Sequence, residues 1–404
     1  MTRIVVIGTL DTKPEEFSFL RECLERSGAE VTMMDVGTTS ESPGSDISPV
    51  EVAKVAGTVH ADLLRAGDRA SALSVMGTGA GMILAGLHTE GLVDGVIGMG
   101  GSGNTEVATA AMRKLPRGIP KLVLCTPSIN LDRFIGSTDI TLTHSVVDIS
   151  GMNFMLRTQI EQASAAVVAM AEAPGMPDQR PRPVVATTMF GITTPGVTRA
   201  AEILRRKGYE ILTFHSNGTG GRALEALAED GSIDAVLDAT PTELADELVG
   251  GHRSAGPLRL TAAGRHGIPQ LISLGGLDVV NFGAHDTVPR RFQGRLLYGH
   301  ASGSTLMRTT SEECAAIAGQ LAAKLNTASG PVKVIAPTGG FSSLDRPGQP
   351  FYDPNADQIL IAELRSSLDP RIEFIEVNGN INDPVVADLL AEHTDHLFQE
   401  SYDH

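Results

Sequence analysis

The sequence contains no tryptophan, and aromatic residues make up only 4% of its 404 positions. Few rings are therefore available to stack on the bases of single-stranded nucleic acid. Basic residues are also scarce, with 32 Lys and Arg against 48 Asp and Glu and a net charge of -16. That charge repels a phosphate backbone, so we exclude nucleic acid as the primary ligand. A local anion site stays open, because backbone N–H groups bind anions without formal charge.

Cysteine is scarce as well: the three thiols, Cys23, Cys125 and Cys314, are odd in number and far apart. Their spacing indicates neither a disulfide framework nor a Cys-x-x-Cys metal site, and buried small hydrophobic side chains are the simpler interpretation. The sequence lacks any run of 18 or more apolar residues, and its first residues enter a strand rather than a signal peptide. We therefore expect a cytoplasmic protein with no membrane span.

Glycine is abundant, with 44 residues, as expected for many tight strand-to-helix turns. Short β-branched runs alternate with helical patterns, which predicts the α/β class with mainly parallel sheets and helices on both faces. A chain of 404 residues is too long for one compact core. Because four prolines fall within residues 174–183, we predict an N-terminal domain over 1–175, a linker over 176–183 and a C-terminal domain over 184–404.

The first strand-to-helix turn carries a group of polar side chains. Residues 3–7 predict a buried strand that Gly8 ends, and helical spacing resumes after the turn. The turn thus lies at the carboxyl end of the strand, where parallel sheets bind ligands, although it matches neither a Walker A loop nor Gly-x-Gly-x-x-Gly. We interpret it as one wall of a phosphate or carboxylate site; the alternative is a capped helix entry with a solvated lysine. The candidate ligand residues of this turn are Gly8 and the polar residues Thr9, Asp11, Thr12 and Lys13.

Two glycine-rich segments follow later predicted strands, over 71–76 and 93–97. Successive small residues let backbone N–H groups converge on an anion at a helix N-terminus, although glycine there is also explained by steric need alone. We expect the three turns to meet at one sheet edge and to hold a phosphate-bearing ligand. Asp35 ends the second strand, where a ribose-binding carboxylate or a solvated aspartate would lie. The candidate residues in the glycine-rich segments are Gly77, Thr78, Gly79, Gly81, Gly100, Gly101, Ser102, Asn104 and Thr105.

The second half of the sequence carries polar strand ends of its own. His215 lies in a glycine-rich helix entry, and His300 ends another strand. Arg308 precedes two threonines at a helix start, a suitable place for an anion clamp. We take these three as candidate base and clamp, with structural histidines and a paired or solvated arginine as the alternatives. The histidines lack the spacing of a metal ligand set, so we predict no metal site.

Seven segments together carry a family resemblance that covers essentially the whole chain. They resemble the ATP-binding domain family typified by the tomato mosaic virus resistance protein, a family long labelled uncharacterised in bacteria. The resemblance implies two Rossmann-like domains, nucleotide binding in the N-terminal one, and a homodimer. The segments are residues 6–13, 98–105, 189–195, 214–222, 278–283, 306–310 and 350–354.

Our leading hypothesis is a dimeric protein that binds ATP with Mg²⁺ at the N-terminal strand ends. In the plant protein this region is fused to a phosphoenolpyruvate-hydrolase-like barrel, so the resemblance also implies a barrel-domain partner here. Many members have cysteine after Thr-Thr-Pro, whereas this chain has Gly196, which excludes a thiol nucleophile at that position. The alternative hypothesis is a hydrolase or lyase that acts on a small carboxylated or phosphorylated metabolite in the interdomain cleft.

Overall fold

The computed structural model describes residues 1–39, 44–128, 131–176, 180–301 and 303–402. The chain divides into two compact units, Met1–Asp178 and Gln179–His404. Each unit is built on a parallel sheet flanked by helices, which confirms the predicted α/β class. Part of the predicted linker, residues 177–179, lies outside the described residues.

The sheet of the first unit has five parallel strands in the order β2-β1-β3-β4-β5. Because β2 and β3 lie on opposite sides of β1, the chain reverses its winding between β1 and β3, and ligands bind at such a switch point. The strands are β1 (Thr2–Gly8), β2 (Ala29–Asp35), β3 (Gly95–Gly100), β4 (Lys121–Cys125) and β5 (Thr141–His144).

Successive residues of β1 point to opposite faces of the sheet and enter two separate cores. Ile4 and Val6 belong to the core that contains α1 and α7 residues, whereas Val5 and Ile7 belong to the core with α2, α4 and α5 residues. This packing places helices on both faces, as the sequence predicts. The helices are α1 (Pro14–Arg26), α2 (Pro49–Val55), α3 (His60–Ala66), α4 (Arg69–Thr89), α5 (Ser102–Met112), α6 (Asp132–Ile135) and α7 (Phe154–Glu172).

Helix α4 contradicts the strand and glycine-rich loop predicted for this region. The Asp68 carboxylate caps the helix by accepting from the N–H groups of Ala70 and Ser71. The three glycines lie in the helix interior and let it approach its neighbours closely, because a Cβ on Gly79 would lie 2.1 Å from the Val52 carbonyl oxygen of α2. Gly77, Thr78, Gly79 and Gly81 are therefore helical residues and form no phosphate loop.

Among the described residues, α4 is also the helix that by length and composition alone could cross a membrane. Its Met76, Ala80 and Leu84 belong to one of the two cores of the first unit. The helix is therefore packed as a core helix of an α/β unit, a class that passes the same test of length and composition.

The second unit has a six-stranded parallel sheet in the order β14-β13-β9-β8-β6-β7. A separate antiparallel sheet, β10-β12-β11, packs against the end of β6, where Phe190 and Ile192 share a core with Val279 and Leu306. The strands are β6 (Val184–Met189), β7 (Glu210–His215), β8 (Ala235–Asp238), β9 (Gln270–Ser273), β10 (Val279–Phe282), β11 (Leu297–Ala301), β12 (Ser304–Arg308), β13 (Val332–Pro337) and β14 (Glu373–Val377).

Helices again cover both faces of the six-stranded sheet. Residues of α8 and α14 form one core with Val185 and Leu237, whereas α12 and α13 pack with Ile272 and Val334 on the other face. The helices are α8 (Thr194–Arg206), α9 (Thr219–Glu229), α10 (Glu243–Val249), α11 (Ala262–Arg265), α12 (Ser311–Asn326), α13 (Pro354–Ser367) and α14 (Pro384–Tyr402).

A buried charge cluster joins the antiparallel sheet to the loop before α13. The Arg308 guanidinium donates to the Asp357 carboxylate at 2.5 Å and to the Phe351 carbonyl at 2.8 Å. Asp345 lies 3.9 Å from the same guanidinium, and Asp278 accepts from the Ser342 hydroxyl at 2.6 Å. Burial raises the pKa of Asp278 to about 7 and the pKa of Asp357 to about 8, and their neighbouring carboxylates add to both shifts.

We expect position 79 of α4 to be intolerant of a side chain. Gly79→Ala should destabilise the protein by about 1–3 kcal/mol, because its Cβ would overlap the Val52 carbonyl. The matched control is Gly86→Ala on the exposed side of α4, where a Cβ meets nothing within 4 Å; it should stabilise the helix by about 0.5–1 kcal/mol. Thermal unfolding of the two variants checks this, and a Gly79→Ala protein as stable as wild type would contradict it.

The buried cluster also predicts a pH dependence of stability. Asp278 and Asp357 keep their protons in the folded state to a higher pH than in the unfolded chain, where the ordinary pKa is 3.8. The folded state therefore binds more protons, and this part of the stability is complete below about pH 4 and is lost as the pH rises to about 8. The unfolding temperature of wild type should decline between about pH 5 and pH 8, which is roughly the interval between the unfolded and folded pKa values. In Asp357→Asn this decline should be shallower. Equal slopes in the two proteins would show that the cluster does not titrate in this way.

Candidate functional site

A cavity of about 830 Å³ lies at the carboxyl edge of the first sheet. The turns that follow β1 and β3 both contribute to it, so it is located at the switch point of the strand order. Its volume falls within the range of about 300–1,000 Å³ that is typical of small-molecule sites. The lining residues are Thr9, Asp11, Thr12, Lys13, Thr38, Thr39, Leu63, Leu64, Gly67, Asp68, Arg69, Ala72, Leu73, Gly101, Ser102, Gly103, Asn104 and Glu106.

Glycines at the ends of both strands let the following helices approach the sheet. A Cβ on Gly8 would lie 2.2 Å from the Phe17 ring of α1, and a Cβ on Gly100 would lie 2.8 Å from the Asn104 Cβ of α5. Within the described part of the chain, Gly8 and Gly100 do not line the cavity. They instead set the positions of the helix N-termini that reach it.

The N-terminus of α5 presents its first turn to the cavity. Gly101 is the N-cap residue and provides no side-chain cap, and the first turn contains no acidic residue. The first N–H groups of a helix have no partner within the helix, and together with the helix dipole they favour a bound anion. Gly101, Ser102 and Gly103 all line the cavity. Their small side chains leave the backbone accessible to a ligand.

Asn104 holds this turn against the sheet and keeps one polar atom unsatisfied. Its Nδ2 group donates to the Met99 carbonyl at 2.8 Å and to the Ile7 carbonyl at 3.3 Å, and so joins β3 to β1. The side chain is 4% exposed, and its Oδ1 atom has no hydrogen-bond donor within the described part of the chain. A buried acceptor in this state is normally satisfied by a ligand or a water molecule.

Two cations lie beside helix N-termini in the cavity wall. Lys13 is the N-cap residue of α1, and its ammonium group donates to the Ile149 carbonyl rather than to a carboxylate. Arg69 begins α4, and its Nη2 atom lies 3.3 Å from the position of a Cβ on Gly103 in the first turn of α5. Within the described ranges neither side chain forms an ion pair. Because a helix N-terminus is itself positive, Lys13 and Arg69 add to the positive potential at these two helix starts.

Three carboxylates, Asp11, Asp68 and Glu106, line the same cavity. Asp11 accepts from the Thr39 N–H group at 2.9 Å through Oδ2, whereas its Oδ1 atom is buried without a partner in the described chain. Asp68 is the cap of α4, and Glu106 is exposed. Over the residues that are described, no three His, Cys, Asp or Glu side chains form a metal-binding group. A Mg²⁺ ion here would therefore take one ligand from Asp11 and the others from phosphates and water.

Several predicted ligand residues lie outside the cavity lining. Asp35 is fully buried, and its Oδ1 atom accepts from the N–H groups of Leu10 and Gly37 at 3.1 and 2.8 Å. These two hydrogen bonds hold the first turn in place. The buried Asp35 carboxylate is not positioned to contact a ribose. Thr105 is also fully buried, and its hydroxyl donates to the Gly101 carbonyl at 3.0 Å. Both residues support the site without lining it.

Sequence reasoning missed Arg69 and the apolar wall formed by Leu63, Leu64 and Leu73. The predicted strand over 71–76 placed Arg69 at the opposite edge of the sheet. Asp68 was the available signal, because an aspartate that precedes a run of good helix formers is a typical N-cap.

The second unit brings two of its three predicted residues to one strand end. The His215 ring stacks on Phe190 with the ring centroids 5.2 Å apart, and His300 Nε2 lies 3.8 Å from the position of a Cβ on the adjacent Gly191. Arg308 is elsewhere, 5% exposed and bound within the buried carboxylate cluster. It is therefore a structural ion-pair residue, and the clamp predicted for it is not available to a ligand.

The glycine-rich entry to α9 is occupied by the protein's own carboxylate. Glu243 Oε1 accepts from the N–H groups of Gly218 and Gly221 at 2.6 and 3.0 Å. Its Oε2 atom accepts from the Arg259 guanidinium at 2.6 Å, and Arg259 also donates to Asp238. The backbone donors that would bind an anion are thus already satisfied.

Comparison with known proteins gives matches over nearly the whole chain. A Clostridium tetani protein and a Rhizobium meliloti protein, both named as UPF0261 proteins, are each 42% identical over 393 residues, with 96% of this chain and 97% of the relative aligned. The tomato ToMV resistance protein Tm-1 is 37% identical over an alignment of 415 residues that covers 96% of this chain and 55% of the tomato protein. The predicted family resemblance is therefore confirmed.

Similarity to solved structures is weak. A glycosyltransferase from Streptomyces sp. SF2575 matches 67% of the chain at 16% identity with a TM-score of 0.19, which supports no conclusion. The family models are specific, since the N-terminal domain of uncharacterised protein family UPF0261 matches residues 2–175 and its C-terminal domain matches residues 182–398. The chain therefore belongs to the uncharacterised protein family UPF0261.

Proposed function

We propose that the first unit binds a nucleotide, and specifically ATP with Mg²⁺, in the cavity at the ends of β1 and β3. The observation that carries the proposal is the pairing of two cations with two helix N-termini. Lys13 lies at the start of α1, and Arg69 lies against the start of α5, with no carboxylate partner for either among the described residues. Like charges placed together in this way are stabilised by a bound anion.

The shape of the cavity supports a ligand larger than an inorganic anion. One wall contains Leu63, Leu64, Ala72 and Leu73, which offer an apolar surface to a base. The phosphate-binding groups and the hydroxyls of Thr9, Thr12 and Thr39 belong to the same lining. A nucleotide has both an apolar ring and a charged tail, and it matches this mixture of apolar and polar lining residues.

The remaining polar groups assign parts to the ligand. The unsatisfied Oδ1 atom of Asn104 requires a donor, and a ribose hydroxyl supplies one where a phosphate oxygen does not. The Asp11 carboxylate, whose Oδ1 atom has no partner in the described chain, would hold a Mg²⁺ ion that offsets part of the phosphate charge. The homodimer and the barrel-domain partner remain predictions from the family resemblance.

Calorimetric titration with ATP and Mg²⁺ tests the proposal. Lys13→Ala and Arg69→Gln should each weaken ATP binding about tenfold to a hundredfold, because each removes a charged hydrogen-bond donor worth about 1.5–3 kcal/mol. Adenosine, which has no phosphate, should bind weakly and with equal affinity to wild type and both variants. The Asp11→Asn variant should lose most of the dependence on Mg²⁺.

Arg26→Gln is the matched control, since it removes one positive charge from the last turn of α1, at the opposite end of the helix from Lys13. It should bind ATP as wild type does. The proposal fails if Lys13→Ala and Arg69→Gln both retain wild-type affinity, or if Arg26→Gln weakens binding by the same factor.

A further inference from the structure

The carboxyl end of β6 in the second unit carries an arrangement of side chains that the nucleotide site does not involve. The Phe190 ring, which is 4% exposed, directly follows the last residue of β6. The His215 ring stacks on it at 5.2 Å between centroids with a 25° interplanar angle, and Arg253 Cζ lies 5.4 Å from the same centroid. An imidazole and a guanidinium are thus positioned by one buried aromatic ring.

A third nitrogen-bearing side chain approaches from the antiparallel sheet. His300 lies on β11, and its Nε2 atom is 3.8 Å from the position of a Cβ on Gly191. Any side chain larger than hydrogen at 191 would meet this imidazole. Three potential donors from separate parts of the chain therefore lie beside two consecutive residues, Phe190 and Gly191. We call this group the β6 cluster: His215, Arg253 and His300 around Phe190 and Gly191.

The guanidinium of Arg253 has a fixed base and a free end. The Arg253 N–H group donates to the buried Asp246 carboxylate at 3.2 Å, and that carboxylate also accepts from Asn281 Nδ2 at 2.7 Å. By contrast, the Arg253 side chain has no carboxylate or carbonyl acceptor within the described residues, and its contact is the Phe190 face. A guanidinium offers five N–H donors, so most of its hydrogen-bonding capacity is open to a ligand.

The position of the β6 cluster in the fold also favours a ligand. β6 lies between β7 and β8, and the chain goes first to β7 on one side and then to β8 on the other. This is the switch point of the second sheet, outside which ligands bind in open α/β folds. The neighbouring glycine-rich loop is already filled by Glu243, so recognition at this edge depends on side chains.

The groups that face His215 make its charge sensitive to an added anion. Burial lowers the pKa of His215, the Arg253 charge lowers it further, and the Glu243 carboxylate opposes the shift. Both leading effects disfavour the protonated imidazole of His215. An anion held by Arg253 near His215 would offset the Arg253 charge, favour the protonated imidazole and raise this pKa.

We propose that the second unit binds the carboxylate or phosphate group of a small molecule at the β6 cluster, with Arg253 as the clamp and His215 and His300 as further donors. This site is separate from the nucleotide site of the first unit and does not depend on it. It gives the two histidines a common ligand and replaces Arg308 by Arg253 as the cation that holds it.

The test is a histidine NMR titration of the full chain in sodium sulfate, in sodium succinate and in sodium chloride at equal ionic strength. Sulfate represents a phosphate group whose charge is constant through the titration, and succinate represents a dicarboxylate. The His215 signal is assigned as the one absent from His215→Gln. Saturating sulfate or succinate should raise the pKa of His215 by about one unit relative to chloride. The anion with the larger shift identifies the preferred oxyanion.

Two variants and two controls make the test specific. Arg253→Gln should lose most of the anion-induced shift, and His300→Gln should reduce it. Arg205→Gln removes the same charge near the end of α8, away from the β6 cluster, and should keep the full shift. Lys13→Ala should also keep it, so that failure of the nucleotide proposal is distinguished from failure of this one. The proposal is overturned if neither anion shifts the pKa of His215, or if Arg253→Gln shows the wild-type shift.

Discussion

The carboxyl ends of parallel strands meet at one edge of a sheet, and the helices that follow begin there with unpaired N–H groups. Every parallel α/β unit must satisfy the positive potential at this edge. The two units of this chain do so differently. In the first, α1 and α5 begin without side-chain caps beside Lys13 and Arg69. In the second, the Glu243 carboxylate occupies the backbone donors of the α9 entry.

The second solution buries charge at high cost and requires complete pairing. Arg259 is 1% exposed and contacts Asp238 and Glu243 at 2.5 and 2.6 Å. Removal of one partner from such a group leaves an uncompensated buried charge, which typically costs about 3–5 kcal/mol. The Arg308 cluster is different because its carboxylates outnumber its cation, and part of the excess is neutralised by protons. Buried ion pairs of this kind hold the surrounding elements of the second unit in fixed positions.

Much of the fold could be predicted from the sequence because short β-branched runs and glycine turns alternate regularly. The polar turn from Thr9 to Lys13 and the turn from Gly101 to Asn104 do line one cavity, since strand order brings them together. Prediction was wrong at α4, where an apolar run of small residues has no periodicity that separates strand from helix. It could not identify Arg308 as buried or Arg253 as packed on the Phe190 ring, because both depend on partners distant in sequence.

The close packing of Gly79 in α4 affects more than the core. Gly79 lies ten residues beyond Arg69, roughly 15 Å along a helix with a rise of 1.5 Å per residue. The close approach of Gly79 to the α2 backbone helps to set the position of α4, and Arg69 is the first residue of that helix. The position of α4 thus depends on the absence of a side chain at Gly79. A substitution at Gly79 that shifted α4 would therefore also move Arg69, although Gly79 is not among the described lining residues of the cavity.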